Sequence, residues 1–223
     1  MNRLDTELHR LYPAPAAPGQ VRAMVLELAR PASWEALSRV WQGVQAELEL
    51  PAPAIAVSGV DGYQLWFSLA HAVPAAEAAN FLEQLRRRYL ADIAPERLAL
   101  HPFQGAAVTP PPVEARPGNW SAFLAQDLAA LFVEEPWLDL PPGLDQQAEL
   151  LSRLTSIKPA ELGRALARLL ATPEAAQAPQ AAAGGAATTP KAFLLEVMND
   201  RAAPLALRIE AAKALLPYLD DPH

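Results

Sequence analysis

Ten consecutive residues, Ser58-Gly59-Val60-Asp61-Gly62-Tyr63-Gln64-Leu65-Trp66-Phe67, constrain the fold more than any other part of the chain. Asp61-Gly62 is a favoured hairpin dipeptide, because both residue types tolerate the backbone angles of a tight turn. Gly59 to Gly62 therefore reads as a turn between a strand over residues 54–58 and a strand over residues 63–69. Side chains alternate along a strand, so Gln64, Trp66 and Ser68 share one face while Leu65 and Phe67 take the other.

The flanking segments extend this hairpin into a larger unit. Val21 to Ala29 alternates as a first strand, with Met24, Leu26 and Leu28 on one face and Val25 and Glu27 on the other. Ser33 is placed to cap a helix whose apolar residues, Trp34, Leu37, Val40, Trp41, Val44 and Leu48, recur at helical spacing. Pro74 opens a second helix with an apolar stripe of Ala78, Phe81, Leu82, Leu85 and Tyr89. Residues 97–101 are short and alternating, a fourth strand. The expectation over residues 20–109 is an α+β core of the βαββαβ, ferredoxin-like or RRM-like kind, with both helices on one face and the first and third strands central. Its open face would then carry Glu27, Gln64, Trp66 and Ser68, and His101 where the register brings it there.

Outside the core, residues 1–19 read as a helix through Leu4, Leu8 and Leu11 followed by a proline-rich linker. Residues 110–171 read as a helical extension, with helices over 121–133, 144–154 and 159–170. Residues 172–189 are rich in Ala, Gly, Pro and Gln, a composition that buries too little surface to order itself. Residues 190–223 read as a terminal helical hairpin.

Composition narrows the function classes. With no cysteine among 223 residues there is no disulfide framework and no thiolate metal site, which fits a reducing cytoplasm. The charged N-terminus lacks a signal-peptide core, and no apolar run is long enough for a membrane span. A net charge of −7 argues against tight non-specific nucleic-acid binding, which needs a basic footprint. There is no Walker loop, no HExxH and no Gly-x-Ser-x-Gly, and the four histidines are scattered.

The open face is the candidate site. A carboxylate (Glu27), an amide (Gln64) and an indole (Trp66) on a sheet suit a nucleotide, held by stacking and hydrogen bonds. The competing expectation is that Trp66 packs beneath the C-terminal helices and Glu27 pairs with a local arginine. Likewise, the Gly59–Gly62 turn either cradles a phosphate through its N–H groups or is a plain hairpin turn. The Arg86-Arg87-Arg88 run either meets phosphates or is a solvated helix end.

The hairpin, followed by Ala72-Val73-Pro74-Ala75, resembles the archaeo-eukaryotic primase-polymerase superfamily. Members carry a Ser-Gly-x-x-Gly-x-His-hydrophobic-aromatic hairpin and a Pro-Val-Pro-Ala helix start on an RRM-like core. The resemblance matches Ser58, Gly59 and Gly62, places Gln64 where the family has its phosphate-contacting His, and leaves Glu27 where the family has a metal-binding Asp-x-Asp. Two-metal phosphoryl transfer needs several carboxylates to hold cations about 3.5–4 Å apart. Glu27 alone does not meet that need, and an amide lacks the charge of an imidazolium. The resemblance thus implies a catalytically degenerate, nucleic-acid- or nucleotide-associated accessory factor without a cofactor, bound to single-stranded nucleic acid or nucleotide. The alternatives are a non-catalytic protein–protein interaction scaffold and an active Mg- or Mn-dependent nucleotidyltransferase. Residues 193–218 are similar to a helical segment of small-terminase-like phage proteins, which implies a phage or mobile-element origin and a protein partner for the terminal hairpin.

Overall fold

In chain order the described elements are α1 (Arg3–Leu11), β1 (Gln20–Ala29), α2 (Trp34–Ala46), β2 (Ala54–Val57), β3 (Gly62–Pro74), α3 (Ala75–Tyr89), β4 (Leu98–Pro102), β5 (Glu114–Arg116), β6 (Asn119–Trp120), β7 (Ala122–Leu124), α4 (Leu144–Ser152) and α5 (Pro159–Leu170). The structure, a computed structural model, describes residues 2–14, 17–102, 109–171 and 212–213. The chain divides into two units, Met1–Pro173 and Glu174–His223. In the second unit only the helical pair Ala212–Lys213 is described, so the expected linker and terminal hairpin otherwise lie outside the described residues.

The first unit is mixed α+β, built on a five-stranded antiparallel sheet in the order β4-β1-β3-β2-β7. β1 and β3 are adjacent inner strands, with Leu26 opposite Leu65 and Met24 opposite Phe67. Strand parity then decides the core. Met24, Leu26, Leu28, Leu65 and Phe67 are all buried on one face, against Leu37, Val40 and Val44 of α2 and Phe81, Leu82 and Leu85 of α3. Each such side chain taken fully out of water contributes about 1.5–3 kcal/mol before chain entropy is counted. α2 starts where expected, with the Ser33 hydroxyl accepting the Ala36 N–H at 3.2 Å. α3 follows Pro74, and Glu83 beside Arg86 and Arg87 laces its exposed side.

The other face is half covered. Leu4 and Leu11 of α1, Tyr12 just after it, and Ala148 and Leu151 of α4 bury against Ala23, Val25, Ala54, Ala56 and Trp66. Arg10 ties the two covering helices together by donating to the Leu151 and Leu154 carbonyls at 2.9 and 3.0 Å. Leu151 is in the last turn of α4 and Leu154 just beyond it, where carbonyls are left over from the helical ladder.

Residues 110–171 depart in part from the expected helical extension: α4 and α5 fall on the helices expected over 144–154 and 159–170, but the first expected helix does not form. Instead of a helix over 121–133 there is a strand, β7, that pairs with β2 (Ala56 opposite Phe123), then a 3-10 turn at Ala129–Phe132. Just before it, β5 and β6 form a two-stranded hairpin closed through Pro117-Gly118, with Gly118 at φ +80°. The helical spacing of Phe123, Leu124, Leu128, Leu131 and Phe132 is real, but the open edge of β2 offers the backbone of 122–124 ladder partners that a helix would forgo. No helix of the described residues is long and apolar enough to cross a membrane.

Candidate functional site

Glu27 and Gln64 are direct register partners on the two inner strands, and Gln64 Nε2 donates to Glu27 Oε2 at 2.9 Å. Two residues along β3, the Trp66 indole Nε1–H donates to Gln64 Oε1 at 2.9 Å. An indole N–H can only donate, so it turns the amide oxygen toward itself and the NH2 toward the carboxylate. The three side chains form one polar line, Trp66 to Gln64 to Glu27, running from the covered half of the face to its open half.

Trp66 does not display its ring. It is fully buried, with Tyr12 edge-on at 5.3 Å between ring centroids and Phe123 at 6.2 Å. The expectation of an exposed stacking indole is therefore corrected, and so is the expected cover: α1, Tyr12, β7 and α4 enclose it rather than C-terminal helices alone. Small neighbours make this possible. Val25 and Ala54 are its register partners, leaving room beside the sheet for the ring and its aromatic lid. The Leu4-Leu8-Leu11 stripe held the signal, since an amphipathic helix ahead of the first strand needs an apolar surface to cover.

The open half of the face is a cleft of about 330 Å³ whose lining includes Glu27, Ser58, Asp61, Gln64 and His101. His101 lies opposite Val25 on β4, which puts it on the Glu27 face as the register allows. The cleft thus gathers Glu27, Ser58, Gln64 and His101 of the sequence-predicted residues, and leaves Trp66 in the covered half of the face and Gly59 and Gly62 in the turn. Thr109, Val113 and Ser121 also line it. Sequence reasoning did not find these three, because their position depends on the β5–β6 hairpin folding back over the turn. Glu27 has no arginine partner among the described ion pairs, so the expected local Glu27–Arg pair is also corrected.

The Ser58 turn is built from inside. Ser58 Oγ accepts the N–H groups of Val60, Asp61 and Gly62 at 3.2, 3.2 and 3.0 Å. The Gly59 N–H goes to the Pro136 carbonyl at 3.1 Å. Every donor that a phosphate cradle would need is already engaged, so the turn is structural. Both glycines are required there for steric reasons. A Cβ on Gly59, at φ +77°, would lie 2.8 Å from Ala115 Cβ and the Ser121 nitrogen, and one on Gly62 would lie 2.8 Å from the Leu28 carbonyl.

The remaining charged candidates are occupied. Arg86 and Arg87 both bond Glu83, whose carboxyl they hold down to about 2, and Arg88 bonds Glu47 at 2.6 Å. Asp92 bonds Arg39, which lowers its carboxyl below the usual range, and it takes no part in the cleft. Among the described residues no group of three or more His, Asp or Glu side chains is arranged to hold a metal ion, so the residues present do not fit a two-metal centre. What the cleft can do is hydrogen-bond a ligand through a carboxylate and an oriented amide. No protein-family model and no curated protein matches the chain.

Proposed function

We propose that this chain is a primase-polymerase-like protein that has lost phosphoryl transfer and works as a nucleic-acid- or nucleotide-associated accessory factor, of phage or mobile-element descent. The observation that carries the reading is the Glu27–Gln64 pair: the position that would hold metal is a lone carboxylate bonded to an amide. Strand order β4-β1-β3-β2, with α2 and α3 on one face, supports an RRM-like, βαββαβ core beneath it. Ser58, Gly59 and Gly62 retain the turn chemistry of the resembled hairpin.

The test is binding of mixed-sequence single-stranded DNA across a salt series, alongside a Mg- and Mn-dependent nucleotide incorporation assay. Salt-sensitive binding without incorporation supports the accessory role. Incorporation that Glu27→Ala abolishes would establish the nucleotidyltransferase alternative instead.

A protein-interaction scaffold is the second reading, favoured by one observation. Leu128, Leu131 and Leu140 are 46%, 75% and 74% exposed in the stretch after β7. Leu131 and Leu140 line one surface groove, and grouped exposed leucines mark contact surfaces more often than isolated ones do.

A further inference from the structure

The geometry points to a guanine base as the group that the Glu27–Gln64 cleft receives, read along its hydrogen-bonding edge; this deepens, and rests on, the nucleotide-associated reading. Gln64 is only 6% exposed yet lines the cleft. Among the described residues, its amide uses two of its four hydrogen-bonding positions, one N–H for Glu27 and one lone pair for Trp66. Because Trp66 fixes which way the amide points, its second N–H belongs on the NH2 side, next to the carboxylate. Glu27 accepts one bond from Gln64 and has no basic partner among the described residues.

A donor beside an acceptor-only carboxylate calls for a ligand edge that runs acceptor, donor, donor. Guanine presents that order in O6, N1–H and the N2 amine. Turned to place a ring-nitrogen acceptor on Gln64, adenine (N1, N6 amine) and cytosine (N3, N4 amine) give the carboxylate one donor where guanine gives two, and uracil or thymine sets its second acceptor against the carboxylate. Val60 and Val113 supply apolar lining for the flat faces of a base, and about 330 Å³ falls within the range of small-ligand sites. The described lining contains no Lys or Arg, while Asp61 adds a second carboxylate. With Glu27 and Asp61 set against the one His101, a phosphate meets more negative than positive groups there, so the base and not the phosphate carries the binding.

The experiment is calorimetric titration of the full chain with guanosine, inosine, adenosine, uridine and GMP. Guanosine is expected to bind, GMP no more tightly than guanosine, and adenosine and uridine at least tenfold more weakly. Inosine, which lacks the N2 amine, should lose roughly ten- to a hundredfold, the worth of one bond to a charged acceptor. In Glu27→Gln, guanosine binding should fall at least tenfold with the thermal melt retained; the ligand series on the unaltered chain decides the question should that variant fail to fold. Equal binding of guanosine and adenosine, binding that requires phosphate, or no binding of guanosine by the folded chain would each overturn the inference. Single-stranded DNA with and without guanine separates the two sources of the base. DNA binding that ignores guanine content defeats the guanine site and leaves the accessory reading standing, whereas no DNA or nucleoside binding at all defeats both.

Discussion

Gln64 is held by Trp66 at one end of its amide and bonds Glu27 at the other, each at 2.9 Å, across a face that is dry under Trp66 and open at Glu27. The indole is thus a positioning group for the cleft and a core residue at once. Its mutation will read out in stability before it reads out in binding.

Trp66→Ala should destabilise the protein by about 3–5 kcal/mol, the usual cost of emptying a large aromatic site. Trp66→Phe keeps most of the volume but strands the amide oxygen, and should cost about 1–3 kcal/mol. Urea unfolding curves measure both. A Trp66→Phe variant as stable as the parent would mean that the indole–amide bond contributes nothing.

Ser58→Ala removes the acceptor of three turn N–H groups and should cost about 1–3 kcal/mol. Gly59→Ala adds the strain of a left-handed residue, about 1–2 kcal/mol, to a collision with Ala115 and the Ser121 backbone. Thermal denaturation should place Gly59→Ala below Ser58→Ala. The reverse order would mean that the β5–β6 hairpin yields easily.

Gln147 acts as a one-residue neighbouring strand. From α4 its amide both accepts the Phe123 N–H at 2.7 Å and donates to the Phe123 carbonyl at 3.0 Å, closing the outer edge of β7. Open edges invite pairing with other chains. Gln147→Ala should cost roughly 1–3 kcal/mol for each backbone group left unpaired and should raise light scattering on incubation. Unchanged stability and scattering would show that water replaces the amide freely.

Glu83 accepts bonds from Arg86 and Arg87, and these depress its carboxyl from an ordinary 4.5 to about 2. Its folded value lies below its unfolded one, so the stabilisation is present above the unfolded value and fades as pH falls through about 2. The group is partly solvated, which limits the gain to about 1 kcal/mol or less. Glu83→Gln should therefore lower stability slightly at neutral pH, with the gap to the parent closing in acid and in high salt. A gap independent of pH would assign it to packing.

Burial raises Tyr63 to about 12 and also raises Tyr12. Here the folded values exceed the unfolded one, so the neutral phenols stabilise the fold below the ordinary value of 10, and the part due to Tyr63 is lost as pH rises through about 12. Tyrosinate absorbance should show part of the four tyrosines ionising only together with loss of the native circular dichroism. Simple ionisation of all of them near the ordinary value would contradict their burial.

Helices and the face of each strand were legible because they depend on neighbours in sequence. α2 follows from Ser33 and an apolar period, α5 begins at Pro159 as its proline suggests, and the parity of Leu65 and Phe67 against Gln64 and Trp66 follows from the pleat. β7 was not legible, because three residues with helix-like spacing become a strand only where β2 leaves an edge to pair with. The cleft was legible in part: Glu27, Gln64, Ser58 and His101 meet there, while Val113 and Ser121 arrive by a fold-back that no local pattern announces.

Local chemistry by itself determined the hairpin, its glycines and the side of the sheet on which an acid, an amide and an indole would stand. Only the tertiary structure decided that the indole is covered and the acid is not. That division depends on where α1 and α4 land, and those long-range contacts are won by total apolar area buried rather than by any residue's own preference. The same packing turns three side chains of equal parity into a buried support, an oriented amide and an accessible carboxylate.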